Sequence, residues 1–464
     1  MAEIAAGTAA APSQDGLPIR ERRLAMAAIA LAMTMAVLDG AIVNVALPVL
    51  AKDLSVQPSD AIFVVNAYQI AVTASLLPFA SLGDIFGFRR VYLPGLAVFI
   101  AASLACALAP TLPLLVMARI VQGLAGAAIM SVNIGFVRFI YPHKIIGAGV
   151  ANVALVVAVA SAAGPTVAAA ILSVADWPWL FLVNVPVGLL ALAVASRTLP
   201  ATPESRRPFD ALSALLNALT FGLLIVGIDR LGDPGAKGQA IAEIIGALVF
   251  GVIFVSRQVR LPAPLLPVDL LRIPAFALSM ASSICAFAAQ MACYVALPFY
   301  FQDVLHLSST QTGFLMTPWP IAVAVMAPIS GRLADRYPPG LLGGVGLVVM
   351  AVGVALLALL PEGAPFFDIV WRLTLCGLGF GLFQSPNNRI IVTSAPRERS
   401  GGASGMQSTA RLTGQSLGAA MVAVLFGLTH GLGASWAVTL SLGVAVVLSA
   451  IGACTSALRR PQSV

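Results

Sequence analysis

The chain has 464 residues, of which 59% are hydrophobic and only 10% are charged, and its formal net charge is +7. Soluble domains carry about 25% charged residues, so this composition excludes a large water-soluble protein. Long apolar runs recur along the whole chain, and a run of about 20 residues lets a helix cross a bilayer. The sequence therefore predicts an all-α, polytopic membrane protein.

The first 23 residues form a polar tail that ends in Arg20, Arg22 and Arg23. The apolar run behind this tail is too long for the core of a signal peptide, so we expect no cleavage. Cutting the apolar runs at prolines, glycines and charge clusters then predicts fourteen membrane spans. In chain order they cover residues 24–47, 61–80, 91–110, 113–137, 146–172, 179–197, 211–230, 240–258, 275–301, 311–330, 341–360, 369–393, 403–427 and 433–457.

The positions of the basic residues give the predicted spans an orientation. With the N-terminus in the cytoplasm, 20 of the 26 Lys and Arg residues fall in cytoplasmic segments, 3 in outer loops and 3 in or at the edge of spans. This asymmetry follows the positive-inside rule. We therefore predict a multi-pass protein of the cell (inner or plasma) membrane with both termini cytoplasmic, and the positive charge does not call for a nucleic-acid partner.

Two pairs of similar segments indicate an internal duplication. VALPVLAKD at 45–53 recurs as VALPFYFQD at 295–303, and the turn ASLGDIFGFRR at 80–90 recurs in outline as GRLADRYPPG at 331–340. Both offsets are near 250 residues, as expected for parallel repeats in a transporter. The predicted organisation is a tail (1–23), a six-helix half (24–200), a linker with two extra helices (201–262), a second six-helix half (263–457) and a tail (458–464).

Ionisable residues are scarce inside the predicted spans, which makes each of them a candidate functional group. Asp39 lies nine residues before Pro48, roughly 13 Å from the outer end of its helix, and Arg119 lies roughly 10 Å from the same side. We expect the two to pair across a water-accessible cavity, where a cationic substrate would compete with a proton for Asp39. The alternative is a static pair that only holds helices together.

Several motifs make the family recognisable. The repeated turn after the second span occurs together with the Gly164–Pro165 pair of the fifth span and with three longer stretches, which are LDGAIVNVALP (38–48), ARIVQGLAGAA (118–128) and WPWLFLVNVPVGLL (177–190). This set resembles the major facilitator superfamily. With the extra central helices, the chain is similar to the fourteen-helix drug:proton antiporters, including the EmrB-like and QacA-like exporters. It departs from their pattern at Ala80, Ile85, Phe88, Ala168 and Ala169.

The resemblance assigns roles to residues that match the motifs. Asp39 matches the first-helix acid of the antiporters, and Arg119 with Gln122 matches their fourth-helix motif, so these residues are candidates for proton coupling and substrate binding. The repeated turns would form an inner gate, with Asp84, Arg89, Arg90, Arg332, Asp335 and Arg336 as its charged residues. Alternatively, these charged residues only fix the orientation of the helices in the membrane. Gly164 and Pro165 would form an antiporter hinge, or else an ordinary tolerated kink.

Further candidates carry polar or aromatic side chains inside predicted spans and could line the cavity. They are Tyr68, Gln69, Gln290, Tyr294, Trp319, Phe383, Gln384, Asn387, Asn388 and Gln415. For any one of them, plain packing or an interhelical hydrogen bond is the simpler role. Arg411, in the thirteenth span, is a candidate for binding an anion or relaying protons, or it could extend its charge toward the cytoplasm.

The sequence contains neither a P-loop nor metal-ligand spacing among its three histidines. We therefore expect no enzymatic activity, no catalytic or metal-ligating residue and no cofactor, with a proton gradient as the energy source. The predicted function is proton-coupled export of a lipophilic, cationic or neutral compound, which includes multidrug efflux and antibiotic resistance. The alternatives are transport of one specific metabolite, such as an organic anion, and a non-transporting membrane sensor or scaffold.

The expected partners are a small-molecule substrate and the lipid bilayer, with no nucleic acid. We expect a monomer, and a periplasmic adaptor is a candidate partner.

Overall fold

The computed structural model describes residues 16–142, 145–204, 208–231, 235–261, 264–361, 363–395, 400–429 and 433–459. These residues form helices and connections without a strand, in agreement with the predicted all-α class. The helices are α1 (Ile19–Asp53), α2 (Pro58–Phe86), α3 (Phe88–Ala107), α4 (Leu112–Ile140), α5 (Ile146–Leu172), α6 (Trp179–Leu182), α7 (Asn184–Thr198), α8 (Ala211–Arg230), α9 (Lys237–Arg260), α10 (Pro274–Phe299), α11 (Ser309–Met316), α12 (Pro318–Leu333), α13 (Pro339–Ala358), α14 (Phe366–Ser394), α15 (Ser400–Leu428) and α16 (Ala434–Ala457).

The length and hydropathy of these helices confirm the polytopic membrane architecture. Among the described residues, thirteen helical segments are long and apolar enough to cross a membrane. The bent helix α5, counted as one span, makes a fourteenth. The predicted tails at 1–23 and 458–464 lie partly outside the described residues, and the predicted domain boundaries stay predictions.

Prolines account for the main differences between predicted and observed helices. α1 runs through Pro48 to Asp53, and α2 runs through Pro78 to Phe86, because a membrane helix tolerates an internal proline. Two predicted spans are instead interrupted, between α6 and α7 and between α11 and α12. Pro186 has no N–H to donate to Leu182, and Pro320 has none for Met316, so the helical hydrogen bonding stops there.

The helices fall into three groups, which we name the N-half (α1–α7), the hairpin (α8–α9) and the C-half (α10–α16). The start of α1 and the turn between α2 and α3 lie at one end of the bundle, which we call the basic side. We call the other end the opposite side. On the opposite side, one apolar cluster joins both halves, with Leu47 and Phe181 from the N-half and Phe299 and Met316 from the C-half. On the basic side, the two halves have separate clusters, although Leu412 of α15 packs into that of the N-half.

Polar contacts also join the halves on the opposite side. Lys52 at the end of α1 forms an ion pair with Asp303 at 2.8 Å. The neighbouring Gln302 donates its side-chain amide to the Val45 carbonyl at 2.9 Å. The hydroxyls of Thr166 on α5 and Thr317, between α11 and α12, lie 2.8 Å apart. The described residues therefore form a bundle whose halves are closed together on the opposite side.

The hairpin packs onto one of the seams between the halves. α8 contacts both α2 and α15, and the Asn217 amide donates to the Ala74 carbonyl of α2 at 2.6 Å. Asp210, just before α8, accepts from Ser213 and pairs with Arg257 of α9 at 3.1 Å. Burial raises the pKa of Asp210, but the Ser213 hydrogen bonds and the Arg257 charge outweigh it and hold the pKa below its usual value.

Small residues bring α15 close to α10. A Cβ on Gly414 would lie 2.6 Å from the Ile284 carbonyl oxygen, and a Cβ on Gly418 would clash with the Ala288 carbonyl oxygen. The two glycines are four residues apart, so they share one face of the helix. Ser416 lies on another face, where its hydroxyl is 3.5 Å from that of Thr73 on α2. α15 is thus fixed between α10 of its own half and α2 of the other.

Candidate functional site

Asp39 lies at the centre of a polar cluster inside the N-half. Its side chain is fully enclosed and forms an ion pair with Arg119 of α4. Its Oδ1 accepts from the Gln122 amide at 2.9 Å and from the Asn184 amide at 2.7 Å. A buried carboxylate is costly unless it is paired and hydrogen-bonded, and these three donors meet that condition.

Arg119 is held by contacts on several sides. Its Nη1 donates to Asp39 and, at 2.7 Å, to Gln122 Oε1, while its Nε donates to the Val64 carbonyl at 3.2 Å. The guanidinium lies 4.2 Å from the centre of the Tyr68 ring, a cation–π contact, and 5.6 Å from that of Phe181. Its Nη2 has no hydrogen-bond partner among the described residues. The aromatic rings thus cover part of the charge that hydrogen bonds leave uncovered.

The structure brings Asp39, Arg119 and Gln122 together, but not across a water-accessible cavity as the sequence suggested. Asp39 and Arg119 are 1% and 0% exposed. The reason is that the surrounding amides and rings fill the space between α1, α4 and α7 where water would enter. In this conformation both oxygens of the Asp39 carboxylate accept from Arg119, Gln122 and Asn184.

Asn184 and Ser103 belong to this cluster and were not singled out from the sequence. Asn184 begins α7, immediately after the break in the predicted sixth span. Ser103 of α3 accepts from Gln122 Nε2 at 2.9 Å and donates to the Phe99 carbonyl at 2.8 Å. The signal for Asn184 was its position as a lone amide within WPWLFLVNVPVGLL, whereas a serine in an apolar helix gives no comparable signal.

Arg411 lies apart from the Asp39 cluster, in the C-half. It is partly buried on α15, which packs against α10 of its own half and against α2 of the other, the helix that carries Tyr68. Tyr68 itself donates its hydroxyl to the Ala36 carbonyl at 3.0 Å. Arg411 thus lies on a helix that contacts both halves, and binding an anion, relaying protons and extending its charge toward the cytoplasm all stay candidate roles.

The candidate gate residues lie on the basic side, and three of them contact residues of the same half or of the segment that follows α7. Arg89 donates to the Ser196 carbonyl, and Arg90 pairs with Glu204 of the segment that follows α7. Asp335 pairs with Arg389 of α14. The remaining charged residues of the two turns are exposed on the same side, and they are Asp84, Arg332 and Arg336. The two turns thus lie at the end of the bundle where the halves have separate clusters.

The candidate hinge coincides with a bend. α5 bends by 41° between Leu155–Ser161 and Ala163–Leu172, and Pro165 lacks the N–H that would bond to the carbonyl four residues earlier. A Cβ on Gly164 would lie 2.6 Å from the Ala41 side chain, so this glycine lets α5 approach α1 closely.

The candidate cavity residues divide into buried and partly exposed sets. The buried ones pack inside a half in this conformation, and they are Tyr68, Gln69, Trp319, Phe383 and Asn387. Trp319 stacks edge-on against Tyr294, with ring centres 5.3 Å apart. The partly exposed ones are Gln290, Tyr294, Gln384, Asn388 and Gln415. Among the residues that the structure describes, no group of three or more His, Cys, Asp or Glu side chains could hold a metal ion.

Known proteins resemble the chain over nearly its whole length. It is 53% identical to the uncharacterized transporter YebQ of Escherichia coli (strain K12), over 97% of this chain and 98% of that one. It is 28% identical to the riboflavin transporter RibZ of Clostridioides difficile (strain 630), over 88% and 89% of the two chains. It is 29% identical to the multidrug efflux pump LfrA of Mycolicibacterium smegmatis (strain ATCC 700084 / mc(2)155), over 89% and 82%.

The family model of the Major Facilitator Superfamily matches residues 29–419. This range begins in α1 and ends in α15, and it contains the Asp39 cluster, both candidate gate turns and Arg411. The chain therefore belongs to the major facilitator superfamily and is a membrane transporter, not an enzyme.

Proposed function

We propose that this transporter is a proton-coupled exporter of lipophilic small molecules from the fourteen-helix drug:proton antiporter branch. The observation that supports the proposal most is the enclosed pair of Asp39 and Arg119. Such a pair inside a membrane bundle is costly to separate and is kept where ionisable groups have a function. The relative named as a multidrug efflux pump supports the same substrate class.

In the proposed mechanism, the proton acts on the Asp39 cluster. Protonation of Asp39 removes its charge and weakens its hold on Arg119, which frees the guanidinium to change partners. The halves then rock about the bend in α5, the two gate turns close the basic side, and the site opens alternately to each side. The closed opposite side in the described conformation corresponds to a transporter that faces the basic side.

The location and assembly of the protein follow as parts of the same proposal. We infer that the basic side is cytoplasmic in the inner or plasma membrane, which puts both chain ends in the cytoplasm. We also infer that the protein acts as a monomer without a cofactor, with the proton gradient as its energy source. A periplasmic adaptor and a role in antibiotic resistance stay predictions.

The coupling is tested with purified protein in proteoliposomes. Efflux of dye cations, neutral antibiotics, organic acids and riboflavin is measured with and without an imposed pH gradient, for the wild type and for Asp39→Asn. We expect Asp39→Asn to lose gradient-driven transport. Asp60→Asn, which removes an exposed carboxylate in the first turn of α2, serves as the matched control and should behave like the wild type. Undiminished gradient-driven efflux by Asp39→Asn would remove Asp39 from the mechanism.

A second candidate function is transport of one specific metabolite, and the relative named as a riboflavin transporter favours it. The same panel separates the two, because a specific transporter moves one compound and a multidrug exporter moves several. A wild-type protein that moves none of them under any gradient would favour the sensor or scaffold alternative.

A further inference from the structure

Arg411 carries a positive charge on α15, the helix that packs against both α10 of its own half and α2 of the other. It lies eleven residues after the start of α15 at Ser400, about 16 Å along a helix of this kind. No acidic residue occurs anywhere in α15 or in α10. Within the part of the chain that the structure describes, Arg411 forms no ion pair or hydrogen bond. A lone cation is unfavourable in a medium of low dielectric constant, so Arg411 is suited to receive a counter-charge from outside the protein.

The other charges of the site cannot supply that counter-charge. Asp39 is the one acid in the interior of the described core helices, and its oxygens are taken by Arg119, Gln122 and Asn184. Asp39 and Arg119 compensate each other, so the charge of Arg411, outside their cluster, is not balanced by either of them. This arrangement disfavours the cationic cargo that the sequence suggested.

Two amides stand on the same helical face as Arg411. Gln407 and Gln415 are four residues before and after it, a spacing that places them on one face, and both are partly exposed like Arg411. A guanidinium presents several N–H donors in a planar fork that matches a carboxylate or another oxyanion. Amide groups beside it can donate to the remaining oxygens of the same group.

We propose that Arg411 binds an acidic group of the cargo, so that the transported compounds are lipophilic organic anions. This inference rests on the proposed function and names its substrate class. The acid would enter from the basic side, where the halves have separate clusters. A bound anion would cancel the charge of Arg411 on α15, which contacts α2, the helix whose Tyr68 ring lies under Arg119. Cargo binding in the C-half would thereby act on the Asp39 cluster in the N-half.

Three probes with one ring system test the charge preference. They are 2-naphthoate, its neutral methyl ester and 2-naphthylmethylammonium. Equilibrium binding of each is measured without a proton gradient, to purified wild-type protein and to Arg411→Gln and Arg411→Lys. Arg260→Gln is the matched control, because it removes an exposed arginine from the end of α9, away from the seam. The melting temperature of each variant shows whether it folds.

We expect the wild type and Arg260→Gln to prefer naphthoate to the ester. Arg411→Gln should weaken naphthoate binding by about 10- to 100-fold, in line with loss of a charge-assisted hydrogen bond, and should leave ester binding unchanged. Arg411→Lys should retain part of the preference. The proposal is overturned if the wild type binds naphthoate no better than the ester, or if folded Arg411→Gln keeps the preference.

Transport of the same probes in proteoliposomes separates this inference from the proposed function. Gradient-driven efflux of the ester or the ammonium probe without an anion preference would keep proton-coupled export and reject the role of Arg411. A preference for naphthoate that depends on Arg411, without any effect of the pH gradient, would keep the anion site and reject the coupling.

Discussion

At the scale of single residues, the Asp39 cluster brings three donors to one carboxylate. An arginine supplies the charge, and two amides from α4 and α7 fill the oxygen that the arginine leaves open. The amides cannot titrate, so Asp39 and Arg119 are the groups whose charges oppose each other in this cluster. Any gain or loss of a proton at Asp39 therefore changes the net charge of an enclosed space.

The opposing charges of Asp39 and Arg119 predict how the stability of the protein responds when one or both are removed. Asp39→Asn leaves Arg119 as a buried, unpaired cation, and we expect a loss of about 3–5 kcal/mol in the free energy of unfolding. The double variant Asp39→Asn/Arg119→Gln removes both charges and should recover much of that loss, while gradient-driven transport stays absent. Thermal unfolding in detergent checks the first part, and proteoliposome transport the second. A double variant no more stable than Asp39→Asn would contradict this account.

The sequence was sufficient to select Asp39, Arg119 and Gln122, because charges inside apolar spans are rare and the motifs mark these positions. It could not show that the cluster is closed to water. That property depends on Tyr68, Phe181 and Asn184, which reach the pair from α2, α6 and α7. Their contribution depends on how those helices pack, and the order of residues along the chain does not record it.

At the scale of elements, the end of α1 and the segment that follows α10 hold the opposite side together. The ion pair of Lys52 and Asp303 has side chains that are 68% and 23% exposed, and such a pair contributes about 0–1 kcal/mol. Because its two members belong to different halves, its loss acts on the equilibrium between the two facing states more than on folding.

We therefore expect Asp303→Asn to make the opposite side open more often, by up to about fivefold from the strength of such a pair. The measurement is labelling of a cysteine at Met316, buried in the joined cluster, by a membrane-impermeant maleimide in a background without the native cysteines. Glu243→Gln is the matched control, since its ion pair with Arg230 lies within the hairpin. Equal labelling rates in the wild type, Asp303→Asn and Glu243→Gln would show that the Lys52–Asp303 pair does not hold the opposite side closed.

Helix existence could be predicted from the sequence, but helix ends and breaks could not. Proline shows this most clearly. Pro48 and Pro78 lie inside continuous helices, whereas Pro186 and Pro320 follow helix interruptions. Whether a helix continues through a proline depends on neighbouring helices that fix its direction. Local sequence does not contain that information.

At the scale of the whole molecule, the halves are joined at one end and separate in their apolar cores at the other. A transporter that alternates between two faces must break the joined end in every cycle. The hydroxyls of Thr166 and Thr317 lie 2.8 Å apart across that end, which is close enough for cysteines to form a disulfide after small adjustments.

We expect Thr166→Cys/Thr317→Cys to lose transport when oxidised and to regain it after reduction, since the disulfide holds the opposite side closed. Binding of cargo from the basic side should persist in the oxidised protein. Each single cysteine variant, treated in the same way, controls for effects of the oxidant. Continued transport by the fully cross-linked protein would rule out opening at this end.

The position of the hairpin makes the two flanks of the molecule unequal. α8 covers the seam between α2 and α15. On the other flank α5 contacts α11 and α12 directly, and these helices carry exposed apolar side chains such as Leu155, Phe314 and Val325. We therefore expect a compound that diffuses sideways out of the bilayer to be blocked by α8 on the first flank and to enter, where it enters from lipid at all, along the α5 flank.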